Sequence, residues 1–118
     1  MSTRLTLRLD FETGRRLGPG KIALLEAIRR TGSISAAGRE LCMAYRRAWL
    51  LVDELNHTFE DPLIETRGGG RNGGGATLTG LGERVVALYR AAETKVHKST
   101  MAEIRKMERS LAPALPDE

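Results

Sequence analysis

The chain has 118 residues and a mass of 13.0 kDa, room for one modest hydrophobic core with an appended element and too little for a second ligand-binding domain. Its formal charge of +4 and pI near 9.7 favour an anionic partner. No apolar run reaches the roughly 20 residues of a membrane-spanning helix, MSTRLTLRLD lacks a signal-peptide core, and Cys42 has no second cysteine to pair with. A cytoplasmic protein is therefore expected.

Residues 4–11, RLTLRLDF, alternate Leu5, Leu7 and Leu9 with Arg4, Thr6 and Arg8, the period of a half-buried strand, and the following ETGRRLG reads as a loop. Pro19 suits the first turn of a helix over about 19–31, with Ile22, Leu25 and Ile28 on its apolar face and Thr31-Gly32 as its stop. Ser33 is an N-cap for a short second helix carrying Ile34, Ala37 and Leu41, in which small Ala37 and Gly38 allow a third helix to approach closely. That third helix, about 44–60, places Ala48, Leu51, Val52, Leu55 and Phe59 on its buried side and Arg46, Leu50 and Asp53 opposite, and Asp61-Pro62 breaks it.

LIETR and ATLT have strand propensity and are joined by a glycine-rich run, so they predict a two-stranded hairpin with a long tip. Thr79 caps a last helix whose expected stripe is Leu81, Val85, Leu88 and Ala92, irregular near TKVHKST and resumed at Met101, Ile104, Met107 and Leu111. One helix of about thirty residues outruns a domain this small, which points to dimerisation. The expected organisation is a domain over 1–79, a dimerisation helix over 80–112 and a frayed tail over 113–118.

The glycine run RGGGRNGGGATLT raises a competing reading. Gly68, Gly70 and Gly73 satisfy G-x-G-x-x-G after a strand, yet a dinucleotide fingerprint opens a helix inside a βαβ unit, whereas ATLT reads as a strand returning antiparallel. Gly74-Gly75 stand where a phosphate-binding loop needs lysine and a hydroxyl residue. With no Ser-His-Asp set, no paired carboxylates, and Cys42, His57 and His97 lacking zinc spacing, neither an enzyme, a cofactor nor a metal site is expected.

Two short helices joined by a tight turn, the second with basic residues in its first turn, followed by a glycine-tipped hairpin, make a mainly α winged helix-turn-helix. TGSISAAGREL, YRRAWLLVDELN, RGGGRNGGGATLT and LTGLGERVVALY, in this order, resemble the N-terminal DNA-binding domain of the ModE family of molybdate-responsive regulators, itself similar to the winged helix of LysR-type regulators. The resemblance runs from about Gly18 to Ala92. It implies a homodimer on double-stranded operator DNA, with the third helix in the major groove and the wing, about 67–79, against the backbone.

By motif, it assigns Ser33 and Ser35 to phosphates, Tyr45, Arg46 and Arg47 to the reading end of the third helix, and Arg67, Arg71 and Asn72 to the wing. Arg46 is the outward candidate for guanine O6 and N7, while Arg47, on the flank, suits phosphate. Trp49 is a candidate for a thymine methyl or base edge, or for packing that orients the helix against the wing. Two positions depart from the family pattern: Ala44 replaces a capping serine or threonine, and Cys42 replaces a glycine in the turn. Cys42 is expected to be a buried small residue there, with a redox thiol as the alternative. The family's molybdate-binding modules need a β-rich segment, whereas the residues after the wing read as helix, so no molybdate site is expected in this chain. A nonspecific architectural DNA-binding protein is the competing function.

Overall fold

The computed structural model of the chain describes residues 3–68 and 75–114. Among these, four helices and two small antiparallel hairpins follow in the order β1 (Leu9–Asp10), β2 (Arg16–Leu17), α1 (Pro19–Thr31), α2 (Ile34–Glu40), α3 (Tyr45–Asn56), β3 (Ile64–Thr66), β4 (Ala76–Leu78) and α4 (Gly80–Glu108). Pro19 opens α1 where its missing N–H costs nothing, and Gly32, at φ 72°, closes it. The sequence assigns one apolar face to α1, but Leu24 and Ala27 are fully buried alongside Ile22, Leu25 and Ile28. This helix is therefore the centre of the molecule, packed by α2, α3, α4 and β4.

Ser33 caps α2 as expected, its hydroxyl accepting from the Ala36 amide at 3.1 Å. The small residues of α2 also act as expected: a methyl built on Gly38 would lie 3.2 Å from the Ala48 methyl, so α3 sits as close as two such groups permit. On α3, Ala48, Leu51, Val52 and Leu55 are buried while Phe59, past its end, is half-buried and meets Phe11 edge-on at 5.8 Å between ring centres.

The third helix ends at Asn56, earlier than Asp61-Pro62 suggests, because the Asn56 side chain turns to bond the next segment. Its Oδ1 accepts from the Leu63 and Ile64 amides, both at 2.9 Å, and its Nδ2 donates to the Ile64 carbonyl at 3.1 Å. The hairpin then pairs Ile64 with Leu78, Glu65 with Thr77 and Thr66 with Ala76, and the Arg67 amide donates to the Gly75 carbonyl.

Two expectations need correction. The strand over 4–11 reduces to Leu9–Asp10, paired with Arg16–Leu17 inside the segment read as a loop. Residues 4–8 lie outside any sheet, and the Tyr89 hydroxyl donates to the Leu7 carbonyl, so alternation of leucines here reports contact with a helix and not a ladder. The buried stripe of α4 is Gly82, Val85, Val86 and Tyr89, leaving Leu88 69% exposed. Gly82 sets that rotation: a methyl there would stand 2.3 Å from the Leu63 carbonyl oxygen, so the helix closes on the start of the wing through a residue without a side chain. The last helix itself runs unbroken from Gly80 to Glu108, against an expected span of 80–112.

Arg90 of α4 forks onto Glu26 of α1 at 2.6 and 3.0 Å and onto Glu93 at 2.7 Å. The Arg90 bonds hold the Glu26 carboxyl below its ordinary pKa of 4.5, against the opposing effect of burial. A lowered carboxyl pKa contributes stability that is present above the unfolded value and is lost as pH falls through the folded one. Glu26→Gln should therefore cost about 1–2 kcal/mol at pH 7 in urea unfolding. That difference should shrink as pH falls below 4.5. Asn56→Ala removes three bonds and leaves two backbone amides without partners, so a loss of about 2–3 kcal/mol is expected, with faster amide exchange at Leu63 and Ile64.

Candidate nucleic-acid interface

The joint between α2 and α3 is a Schellman motif: the Met43 amide donates to the Gly38 carbonyl at 2.8 Å and the Cys42 amide to the Arg39 carbonyl at 3.1 Å. This geometry requires a left-handed residue, which is Cys42 at φ 55°. Its side chain is exposed, correcting the expectation of a buried residue filling the turn. The reason is local: a left-handed residue at the end of a helix projects its Cβ away from the two helices it joins. Ala44 then precedes α3 with no side-chain cap, as the sequence indicates.

Beyond the turn, Tyr45, Arg46, Trp49, Leu50 and Asp53 are all exposed and recur at one- and four-residue steps, which makes one continuous face of α3. Tyr45 and Trp49 pack edge-to-face, ring centres 6.2 Å apart, and stay 60% and 40% exposed. The structure thus brings Trp49 together with Tyr45, outside the hydrophobic core. Neither Arg46 nor Arg47 forms an ion pair among the described residues, and the first turn of α3 contains no acidic side chain. Arg47 is exposed on the flank of the helix, beside Leu51 and Glu54.

Ser33 and Ser35 are half-buried at the start of α2. The Ala76 amide of the wing donates to the Gly32 carbonyl at 2.9 Å, which sets the wing's root beside Ser33. Arg67 is exposed just past the tip-side end of β3, while Arg71 and Asn72 lie outside the described residues. The glycine run joins two antiparallel strands and is not the strand-to-helix turn of a dinucleotide site.

Sequence reasoning passed over Asn56, which ties the start of the wing to α3, and Gly82, which lets α4 close on Leu63. The available signals were weak ones, an asparagine at a helix end and a glycine inside a helix, because each acts on a residue beyond its own helix.

The profile of the bacterial regulatory helix-turn-helix proteins of the lysR family matches residues 20–83. The chain belongs to that family. It is similar to the molybdenum-pterin-binding protein MopB of Rhodobacter capsulatus, 48% identical over 86 residues, 73% of this chain and 32% of that protein. It is also similar to the molybdenum transport protein ModE of Azotobacter vinelandii, 44% identical over 94 residues, 78% of this chain and 35% of that protein. To the DNA-binding transcriptional dual regulator ModE of Escherichia coli K12 it is 36% identical over 89 residues, 75% of this chain and 34% of the relative. The chain spans about a third of the length of these relatives. The ModE resemblance read from the sequence is borne out.

The Schellman position yields a stability test. Relief of left-handed strain, about 1–2 kcal/mol for a residue with a side chain, exceeds the extra backbone freedom of glycine when unfolded. Cys42→Gly should raise the free energy of unfolding by about 0.5–1 kcal/mol, measured by urea titration.

Proposed function

We propose that this lysR-family helix-turn-helix protein is a sequence-specific transcriptional regulator that binds double-stranded operator DNA as a homodimer. The observation that carries the reading is the exposed face of α3, where Tyr45, Arg46, Trp49 and Leu50 stand clear of the core with no acidic residue in the first turn. A major groove about 12 Å wide admits one helix, and an arginine at its leading end can donate two bonds to guanine O6 and N7. Arg46 takes that role, with Trp49 available to a thymine methyl. Ser33 and Ser35, Tyr45 through its hydroxyl, and Arg67 in the wing are assigned to phosphates, as are Arg71 and Asn72 from the sequence alone.

Met107 is exposed and extends the core-facing side of α4, since it follows Tyr89 by 18 residues, or about five turns, and the exposed Leu111 follows just past the helix end. A second copy on that side would give a two-fold dimer and a roughly palindromic operator. The regulator described for Escherichia coli supports the assignment to transcription.

Arg46→Ala should lower the ratio of operator to scrambled-duplex affinity by about 5- to 150-fold for each half-site, a loss of about 1–3 kcal/mol of discrimination in gel-shift titrations. Sedimentation of the wild-type complex should give two chains per operator. Equal affinity of the wild type for operator and scrambled DNA at matched salt would instead favour a nonspecific architectural protein, and one chain per operator would remove the dimer.

A further inference from the structure

On the side of α3 away from the wing lies a cleft of about 630 Å³ between the β1–β2 hairpin, the first turn of α1 and the α3 flank. Its walls carry Arg8, Arg15, Arg16, Lys21 and Arg47 against a single carboxylate, Glu54. Lys21 is committed to structure: its ammonium donates to the Arg16 carbonyl at 3.0 Å and pairs with Glu54 at 3.3 Å, strapping hairpin to α3. Arg8 and Arg16 share one partner, Asp10, at 3.1 and 3.6 Å. Arg15 and Arg47 form no ion pair among the described residues. A concentration of positive charge is thus held open beside the reading helix.

We propose that this cleft is a second phosphate clamp, gripping the DNA strand on the far side of the major groove from the wing. Asn56, which holds β3, and Arg47, which lines the cleft, are nine positions apart, a net half-turn at about 100° per residue. Wing and cleft therefore flank α3 on opposite sides. A helix lying in a major groove has a phosphate backbone along each side, and the cleft supplies cations to the one that the wing does not meet.

The exposure of the clamp selects its ligand. Arg8 and Arg16 side chains remain 59% and 66% exposed, so a lone small anion would be screened by solvent, whereas a polyanion binds such groups by releasing its condensed counterions. The hairpin that supplies Arg15 and Arg16 lies before residue 20, outside the span matched by the family profile.

This inference rests on the DNA-binding reading, and the test separates the two. Wild type, Arg15→Ala, Arg15→Glu and Arg15→Lys are titrated into a duplex over a range of salt, with phosphate-ethylation interference on the same duplex. The exposed Arg15 side chain makes no bond within the hairpin, so unchanged thermal melts are expected. Arg15→Ala should make the log–log salt slope shallower by about 0.9, and Arg15→Lys should restore it. Interference should disappear on the cleft side and persist on the wing side. An unchanged slope and interference pattern in Arg15→Glu, with wild-type binding intact, would overturn the clamp alone; failure of the wild type to bind any duplex would overturn the DNA reading as well. Calorimetric binding of inorganic phosphate that Arg15→Ala abolishes, with no change in the DNA slope, would make the cleft a free-anion site and overturn the duplex assignment.

Discussion

Leu63, fully buried, is where the reading helix, the wing and the long helix are joined. Its amide goes to the Asn56 side chain at the end of α3, and its carbonyl receives the Thr79 amide at 2.9 Å. Gly82 closes on the same carbonyl, and the Thr79 hydroxyl, which caps α4, also donates to Pro62. The wing, the end of the reading helix and the start of α4 are oriented against one another through this one backbone segment. Most of these bonds are part-buried against the fully buried Leu63 side chain, where an unmade amide bond costs more than at the surface, and so they act together as a joint. The wing's angle to α3 is consequently a property of the core.

A second constraint runs the other way. The turn between α2 and α3 holds a cysteine in a left-handed conformation, and α3 starts on an alanine that caps nothing. Both choices weaken the start of the helix that carries Tyr45, Arg46 and Arg47. Close packing compensates for them: the Gly38–Ala48 contact leaves α3 no room to shift toward α2, and Ala48, Leu51, Val52 and Leu55 anchor its inner face. The reading end is held by its rear surface, which leaves the forward surface without internal partners.

Charge is distributed with the same division of labour. Glu26, Arg90 and Glu93 sit at the contact of α1 with α4, and Arg29 pairs with Glu83 at 2.8 Å, so these charges are satisfied within the molecule. Arg15, Arg46 and Arg47, by contrast, stand around α3 and form no ion pair among the described residues.

The helix starts, the wing strands and the helix-turn-helix order were legible in the chain, since Pro19, Ser33 and Thr79 act on their immediate neighbours and the apolar spacing of α3 acts within one helix. So was the tight α2–α3 contact, because residues as small as Ala37 and Gly38 have few other uses on a buried face. Tertiary structure alone decided the rotation of α4, the exposure of Leu88 and the fate of the N-terminal leucines, whose partners are Leu63 and Tyr89, far away in the chain. The same holds for the β1–β2 hairpin and for the cleft beside Arg47. Local patterns encode what a residue does within a turn or two, and only packing between distant segments selects which of two plausible faces is buried and which cations come to share one surface.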